Sequence, residues 1–194
     1  CDCLGISGGW TPAVHLFTQS GGKLKFKDED QTFIPNTYPS DQLSIGACNG
    51  DLTLDEILTN TQYSLKEFLN IKNTEYDGLE ILSSTNKSKR NIWLLPSDKV
   101  LGKTKSFVDY QNDATAKDIK LALREGFRSI EHVKRYTTTG MGTDQGKLGN
   151  MHALGIISET AGAKMGELGT TTFRPPYTPL TFGTIVGRNV GEYF

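Results

Sequence analysis

At 194 residues the chain suits one ordinary domain or two small ones. Its 21 basic and 22 acidic side chains leave a net charge of -1, which excludes the cationic surplus of a nucleic-acid protein but not a local basic patch. No apolar run approaches the roughly 20 residues of a membrane span, so neither nucleic acid nor membrane is expected as a partner.

Cys1, Cys3 and Cys48 are few, odd in number and without paired spacing, which predicts reduced thiols and a cytoplasmic location. Cys1-x-Cys3 alone is short of the ligands a tetrahedral metal site needs. The sequence opens on Cys1 rather than Met and shows no leader of a basic segment before an apolar one, so it reads as a section of a longer polypeptide.

Residues 1–7 read as a short buried strand that ends in Gly8-Gly9. Val14, Leu16 and Phe17 suit a short apolar helix or an extended run. Lys23 to Lys27 alternates polar with apolar, the period of a half-exposed strand, and Phe33-Ile34 can pair with it. Leu43 to Ala47 reads as a further short strand that turns at Cys48 to Asp51. Thr53-Leu54-Asp55-Glu56 is a capping box and predicts a helix with Ile57 and Leu58 inward. Ser64 to Glu67 repeats the box, so that helix is expected to break or restart there, with Leu65, Phe68 and Leu69 buried.

A strand ending in small residues and feeding a helix start suits a nucleotide, because free amides at the helix start attract phosphate or ribose oxygens. An ordinary strand–turn–helix connection reads the same way, and no complete GxGxxG run is present.

Ser83 to Arg90 is a polar, locally basic run that reads as a solvated linker, and Ile92 to Leu95 is an apolar insert that must pack on something. Thr115 with Asp118 forms a further, weaker capping box; Ile119, Ala122 and Leu123 share the face of the helix it opens, and Gly126 ends that helix. Ser129 is expected to cap a second helix that buries Ile130, Val133 and Tyr136. That helix leads into Lys134, Arg135, three threonines and Gly140-Met141-Gly142, a basic, hydroxyl-rich and glycine-rich loop. Asn150 is expected to cap a third helix, with Met151, Leu154 and Ile157 on one face interrupted by Gly155, and Gly162 at its end. Gly166 to Phe173 reads as extended, and Arg174-Pro175-Pro176-Tyr177-Thr178-Pro179 cannot be helical. His15, His132 and His152 are isolated and form no nucleophile–base set.

The runs FVDYQNDATAKDIKLALREGFRSIEHVKRYTTTGMGTDQGK and GTTTFRPPYTPLTFG, with the opening CDCLGISGGWTPAVHL and the later IGACNG, resemble the alpha subunits of heterotetrameric sarcosine oxidases along nearly the whole chain. The resemblance implies an α/β plus α architecture. Residues 1–72 would end a Rossmann-type NAD-binding domain, 73–105 would be a linker or insert, 106–168 a small helical domain, and 169–194 an arm leading to a folate-binding domain. The helical stretch also resembles two-iron, two-sulfur cluster domains, but Asp109, Gln111 and Asp144 stand where those have cysteines. Thiolates hold such clusters, so a fold kept without its iron–sulfur cluster is expected.

As an enzyme section, the chain would belong to a complex with beta, gamma and delta subunits. That complex oxidatively demethylates sarcosine to glycine, using FAD, FMN and tetrahydrofolate and forming peroxide with formaldehyde or methylenetetrahydrofolate. The resemblance assigns NAD contacts to Gly46, Ala47, Leu52 and Leu54, against the alternative that both leucines pack a core. It makes Arg135, Thr138 and Lys147 candidates for the vicinity of FMN, since a flavin phosphate wants cations and hydroxyl donors; a loop docking another subunit is the alternative. No catalytic residue and no metal ligand is expected in this section. The competing reading is a non-catalytic interaction module of a related amine, proline or opine dehydrogenase complex.

Overall fold

The computed structural model of the protein describes residues 2–3, 9–39, 41–71, 92–100, 103–175 and 177–193. The expected strand over residues 1–7 lies almost wholly outside these, as does all of the polar run over 83–90. The chain is mixed α/β and divides into two compact units, residues 1–91 and 92–194. Among the described residues the strands form two antiparallel pairs.

In the first unit, α1 (His15–Gln19) buries Phe17 next to the buried Val14. Strands β1 (Lys23–Lys27) and β2 (Thr32–Thr37) pair antiparallel, with Lys25 opposite Ile34 and Phe26 opposite Phe33, as the alternation predicted. The Phe26 and Phe33 rings meet edge-on at 5.0 Å, the geometry aromatic quadrupoles prefer. The expected strand at Leu43–Ala47 does not form. Ile45 is the last extended residue; Gly46, at φ +70, enters a short 3-10 turn over Gly46–Asn49. Helix α2 (Leu54–Leu69) starts on the predicted box, with Thr53 Oγ1 accepting from the Glu56 amide and the Glu56 carboxylate accepting from the Thr53 amide.

Two expectations for α2 are corrected. It runs unbroken through Ser64, because a capping motif acts only where the backbone leaves the helix and no Gly or Pro makes it leave. It also buries no residue: Leu65, Phe68 and Leu69, expected inside, are 37%, 47% and 56% exposed.

The second unit is built on β3 (Phe107–Asp109) paired with β4 (Ala114–Thr115), then α3 (Ala116–Arg124), α4 (Ile130–Thr137), α5 (Asn150–Ala161), α6 (Met165–Leu168) and α7 (Phe182–Val186). Thr115 and Asp118 form the second box, Asp118 Oδ2 accepting from the Thr115 amide at 2.8 Å. The face this orients carries Ala116, Ile119, Ala122 and Leu123 into the core, where α3 packs on α4 and α5. From α5 come Ala153, Leu154, Ile156 and Ile157, from α4 Ile130 and Val133. Each fully buried Ile or Leu contributes about 1.5–3 kcal/mol, so this cluster decides whether the unit folds.

Tyr136, expected inside, is half-exposed and stacks on Phe127 at 4.8 Å. Ser129 holds the N-cap position of α4 without a side-chain bond to it. Asn150 does not cap α5; Gly149 does, since a Cβ there would collide with the Val108 carbonyl. Residues expected extended from Gly166 first complete the short α6 and extend only from Gly169. Gly155 interrupts the apolar face of α5 because the Trp93 indole lies against it, where any Cβ would overlap the ring; Trp93 also meets His152 edge-on at 6.0 Å. Of the apolar insert at Ile92–Leu95, Trp93 is thereby packed, while Ile92 and Leu95 stay exposed and no strand forms.

Candidate functional site

Two loops of the second unit are drawn together by side chains. The first, residues 109–113, follows β3; the second, residues 138–149, joins α4 to α5. Asp109 is buried and accepts from the amides of Gln111 at 2.9 Å and Asn112 at 3.1 Å, and from Asn112 Nδ2 at 3.1 Å. It reaches across to the second loop, accepting from the Gly140 amide at 2.7 Å. Gln111 Oε1 does the same one step on, accepting from Thr143 N at 2.7 Å and Thr143 Oγ1 at 2.9 Å. Asp144 Oδ1 accepts from the Gly146 amide at 3.1 Å, inside its own loop. So Asp109, Gln111 and Asp144, expected at the cysteine positions of a cluster domain, carry oxygens bound to loop amides. Among the described residues, no group of three or more His, Cys, Asp or Glu side chains could hold a metal ion.

Burial by itself would raise the Asp109 pKa. The Asn112 side-chain amide and the backbone amides of Gly140, Asn112 and Gln111 outweigh it and hold the carboxyl below the ordinary Asp value.

The glycines of the second loop answer to this packing. A Cβ at Gly142 would collide with Gln111 Oε1, and one at Gly140 or Gly146 with Asn150 Oδ1. The buried Asn150 is the hub around which the loop turns, donating to Gln145 O at 3.2 Å and Thr171 Oγ1 at 2.8 Å. The sequence showed a glycine-rich loop; it did not show that side chains rather than a ligand demand the glycines.

Beside the loop lies an open cleft of about 340 Å³, lined from α4 by Glu131, Lys134 and Arg135, from the loop by Gly140 to Gly142 and Gln145, and from the following arm by Thr172 and Arg174. Of the three FMN candidates only Arg135 lines it, with its guanidinium 3.6 Å from Glu131. Thr138, at φ +60, turns its hydroxyl to the Thr137 carbonyl at 2.6 Å. The Lys147 ammonium donates to the Tyr177 carbonyl and sits 4.1 Å above that ring. Sequence reasoning passed over Lys134 and Arg174 as ligand groups; their positive charge was the available signal.

The four NAD candidates lie in the first unit around the start of α2. Gly46 is buried and opens the 3-10 turn, while Ala47, Leu52 and Leu54 are exposed, so neither leucine packs a core. The helix start is unfavourable to a phosphate: Glu56 accepts from the amides of Leu52 and Thr53, the Glu56 amide bonds Thr53, and Asp55 and Glu56 place two carboxylates in the first turn.

Residues 103–188 match the sarcosine oxidase A3 domain family. Over its whole length the chain is 36% identical to the sarcosine oxidase alpha subunit of Rhizobium meliloti (strain 1021), covering 20% of that protein. It is 34% identical over 98% of its length to the alpha subunit of Corynebacterium sp. (strain P-1), again covering 20%. A shorter match of 33% identity joins 38% of the chain to 16% of one subunit of the opine oxidase of Rhizobium meliloti (strain 1021). The chain is thus similar over its whole length to sarcosine oxidase alpha subunits and spans one fifth of the length of those relatives, and the resemblance read from the motifs is borne out. The crystal structure of L-proline dehydrogenase from P. horikoshii shares the fold, with a TM-score of 0.56, 20% identity, and coverage of 93% of this chain and 38% of that one.

Proposed function

We propose that this chain, homologous along its whole length to sarcosine oxidase alpha subunits, is the section of such an oxidoreductase that supports cofactors and partner subunits and leaves the chemistry to other parts of the complex. The observation that carries this reading is the clasp of Asp109 and Gln111 on the Gly140 and Thr143 amides. A helical domain of cluster type holds its two loops together through side-chain oxygens, and so serves as a scaffold between the dinucleotide and folate parts of a longer chain. Iron bound to the purified protein in stoichiometric amount would overturn this.

In the first unit, the end of a Rossmann-type domain, Ala47, Leu52 and Leu54 would hold a face of NAD, with Gly46 shaping the turn beneath. The residues fit a ring and not a pyrophosphate, so the phosphates would be held elsewhere. In the second unit Arg135 would face the FMN phosphate, with Thr138 and Lys147 supporting the loop and arm around it. FAD, tetrahydrofolate, and the beta, gamma and delta subunits belong to the same reading of a cytoplasmic heterotetramer that oxidises sarcosine.

The exposed apolar stripe of α2 supports a second reading, an interaction module of a related amine, proline or opine dehydrogenase complex that binds no NAD. Measuring NAD released from the purified complex separates the two. Ala47→Trp and Leu52→Asp, both at exposed positions, should empty the complex of NAD while the subunits stay associated; full NAD content in both variants would sink the assignment.

A further inference from the structure

Residues 171–174 of the arm after α6 form no strand, and side-chain amides hold them instead. Gln145 takes the place of a neighbouring strand residue. Its Nε2 donates to the Arg174 carbonyl at 2.8 Å, and its Oε1 accepts from the Arg174 amide at 2.7 Å, the pair of bonds that antiparallel partners exchange. Asn150 fixes the other end of the stretch, donating from Nδ2 to Thr171 Oγ1 at 2.8 Å, and Phe173 between them is buried. Pro175 favours an extended backbone at Arg174, which suits this pairing.

Gln145 belongs to the loop that the clasp holds. Asp109 fixes Gly140, and Gln111 fixes Thr143 just before Gln145. Gln145 sits at φ +53, a conformation that persists only where the surroundings over-determine it. Its amide donates to the Gly142 carbonyl at 3.0 Å, and its carbonyl accepts from Asn150 Nδ2 at 3.2 Å. A Cβ at Gly146 would overlap the Asn150 side chain, so Gln145 and Asn150 are packed as one piece.

We propose that these contacts form a relay: the grip of Gln111 on Thr143 sets the backbone of Gln145 and so decides whether residues 171–174 are docked. Gln111 and Gln145 are its positioning residues. The arm has two states, docked and undocked, and both contacts bias that one equilibrium. The relay needs neither a dinucleotide nor a flavin to be bound.

Amide exchange in the purified protein, followed residue by residue by NMR, tests this. Gln145→Met removes both bonds to Arg174 and should speed exchange of the Arg174 amide about 10-fold, the worth of a hydrogen bond. Gln111→Ala alters no contact of the arm. It should speed the same amide at least about 2-fold and add nothing in the Gln145→Met background. Gln111→Glu keeps the accepting oxygen and should exchange as the native protein does. The Ile157 amide, in the core, should keep its native rate in every variant. The relay is overturned by a native rate at Arg174 in Gln111→Ala, by independent effects of the two substitutions, or by Ile157 speeding in step with Arg174. A native rate at Arg174 in Gln145→Met overturns the dock itself.

Discussion

Asp109 holds four donors, three from its own loop and one from Gly140 across the gap. Asp109→Ala would strand buried amides at about 1–3 kcal/mol for an unsatisfied group, so a loss near 3 kcal/mol is expected in chemical denaturation. The acid limb follows from the sign of its shift. A carboxyl held below its ordinary value contributes stability that is fully present above the unfolded pKa of about 3.9 and lost as pH falls through the folded value. The urea midpoint of the native protein should therefore drop as pH falls below about 4, and Asp109→Asn should flatten that drop; parallel limbs would remove Asp109 from the account. Gly155 sets a different contest. Alanine there gains about 1 kcal/mol of helix propensity but overlaps the Trp93 ring, and overpacking typically costs about 1–3 kcal/mol. Gly155→Ala should come out mildly destabilised and displace the indole into water, read as a red-shifted Trp93 emission in a Trp10→Phe background. An unshifted spectrum would show that the indole does not need the glycine.

The two capping boxes look alike and should behave differently. The box of Thr115 opens α3, whose face is locked into the core, so Thr115→Ala should lower global stability by about 1 kcal/mol. The box of Thr53 opens α2, which buries nothing, so Thr53→Ala should lower amide protection along Leu54–Leu69 and leave the unfolding midpoint where it is. A global loss in Thr53→Ala would mean that α2 is part of the cooperative core. The same contrast explains what the sequence made legible. The boxes at Thr53 and Thr115, the alternation at Lys23–Lys27 and the terminal glycines at 126 and 162 are local signals, and their elements form where expected, unlike the repeat at Ser64. Burial is a relation between elements, so the stripe of Leu65, Phe68 and Leu69 could be drawn but not what would cover it. The site followed the same rule. Arg135 was legible by charge, whereas Lys147 is drawn to Tyr177 and Arg174 is carried to the cleft by Gln145, both contacts some 30 positions distant in the chain.

At the scale of the chain, the described core is distributed unequally. Val14, Phe17 and Phe33 are the buried apolar residues of the first unit; the second has thirteen, centred on Ile119, Val133, Leu154, Ile156 and Ile157. Small domains are limited by how much apolar surface they can remove from water, and among the described residues the first unit removes far less than the second. The second unit has both a core and the loop clasp of Asp109 and Gln111 to hold it. Residues 92–194 expressed alone should therefore unfold in one cooperative transition with dispersed amide signals, and Ile157→Ala should cost that segment about 2–5 kcal/mol. Residues 1–91 alone should lack such a transition, and should gain one when the cofactor or partner surface that covers Ala47, Leu52 and the α2 stripe is supplied. Cooperative unfolding of residues 1–91 in isolation would show that α2 and the hairpin need no cover, and would remove the main physical reason for expecting a ligand or partner there.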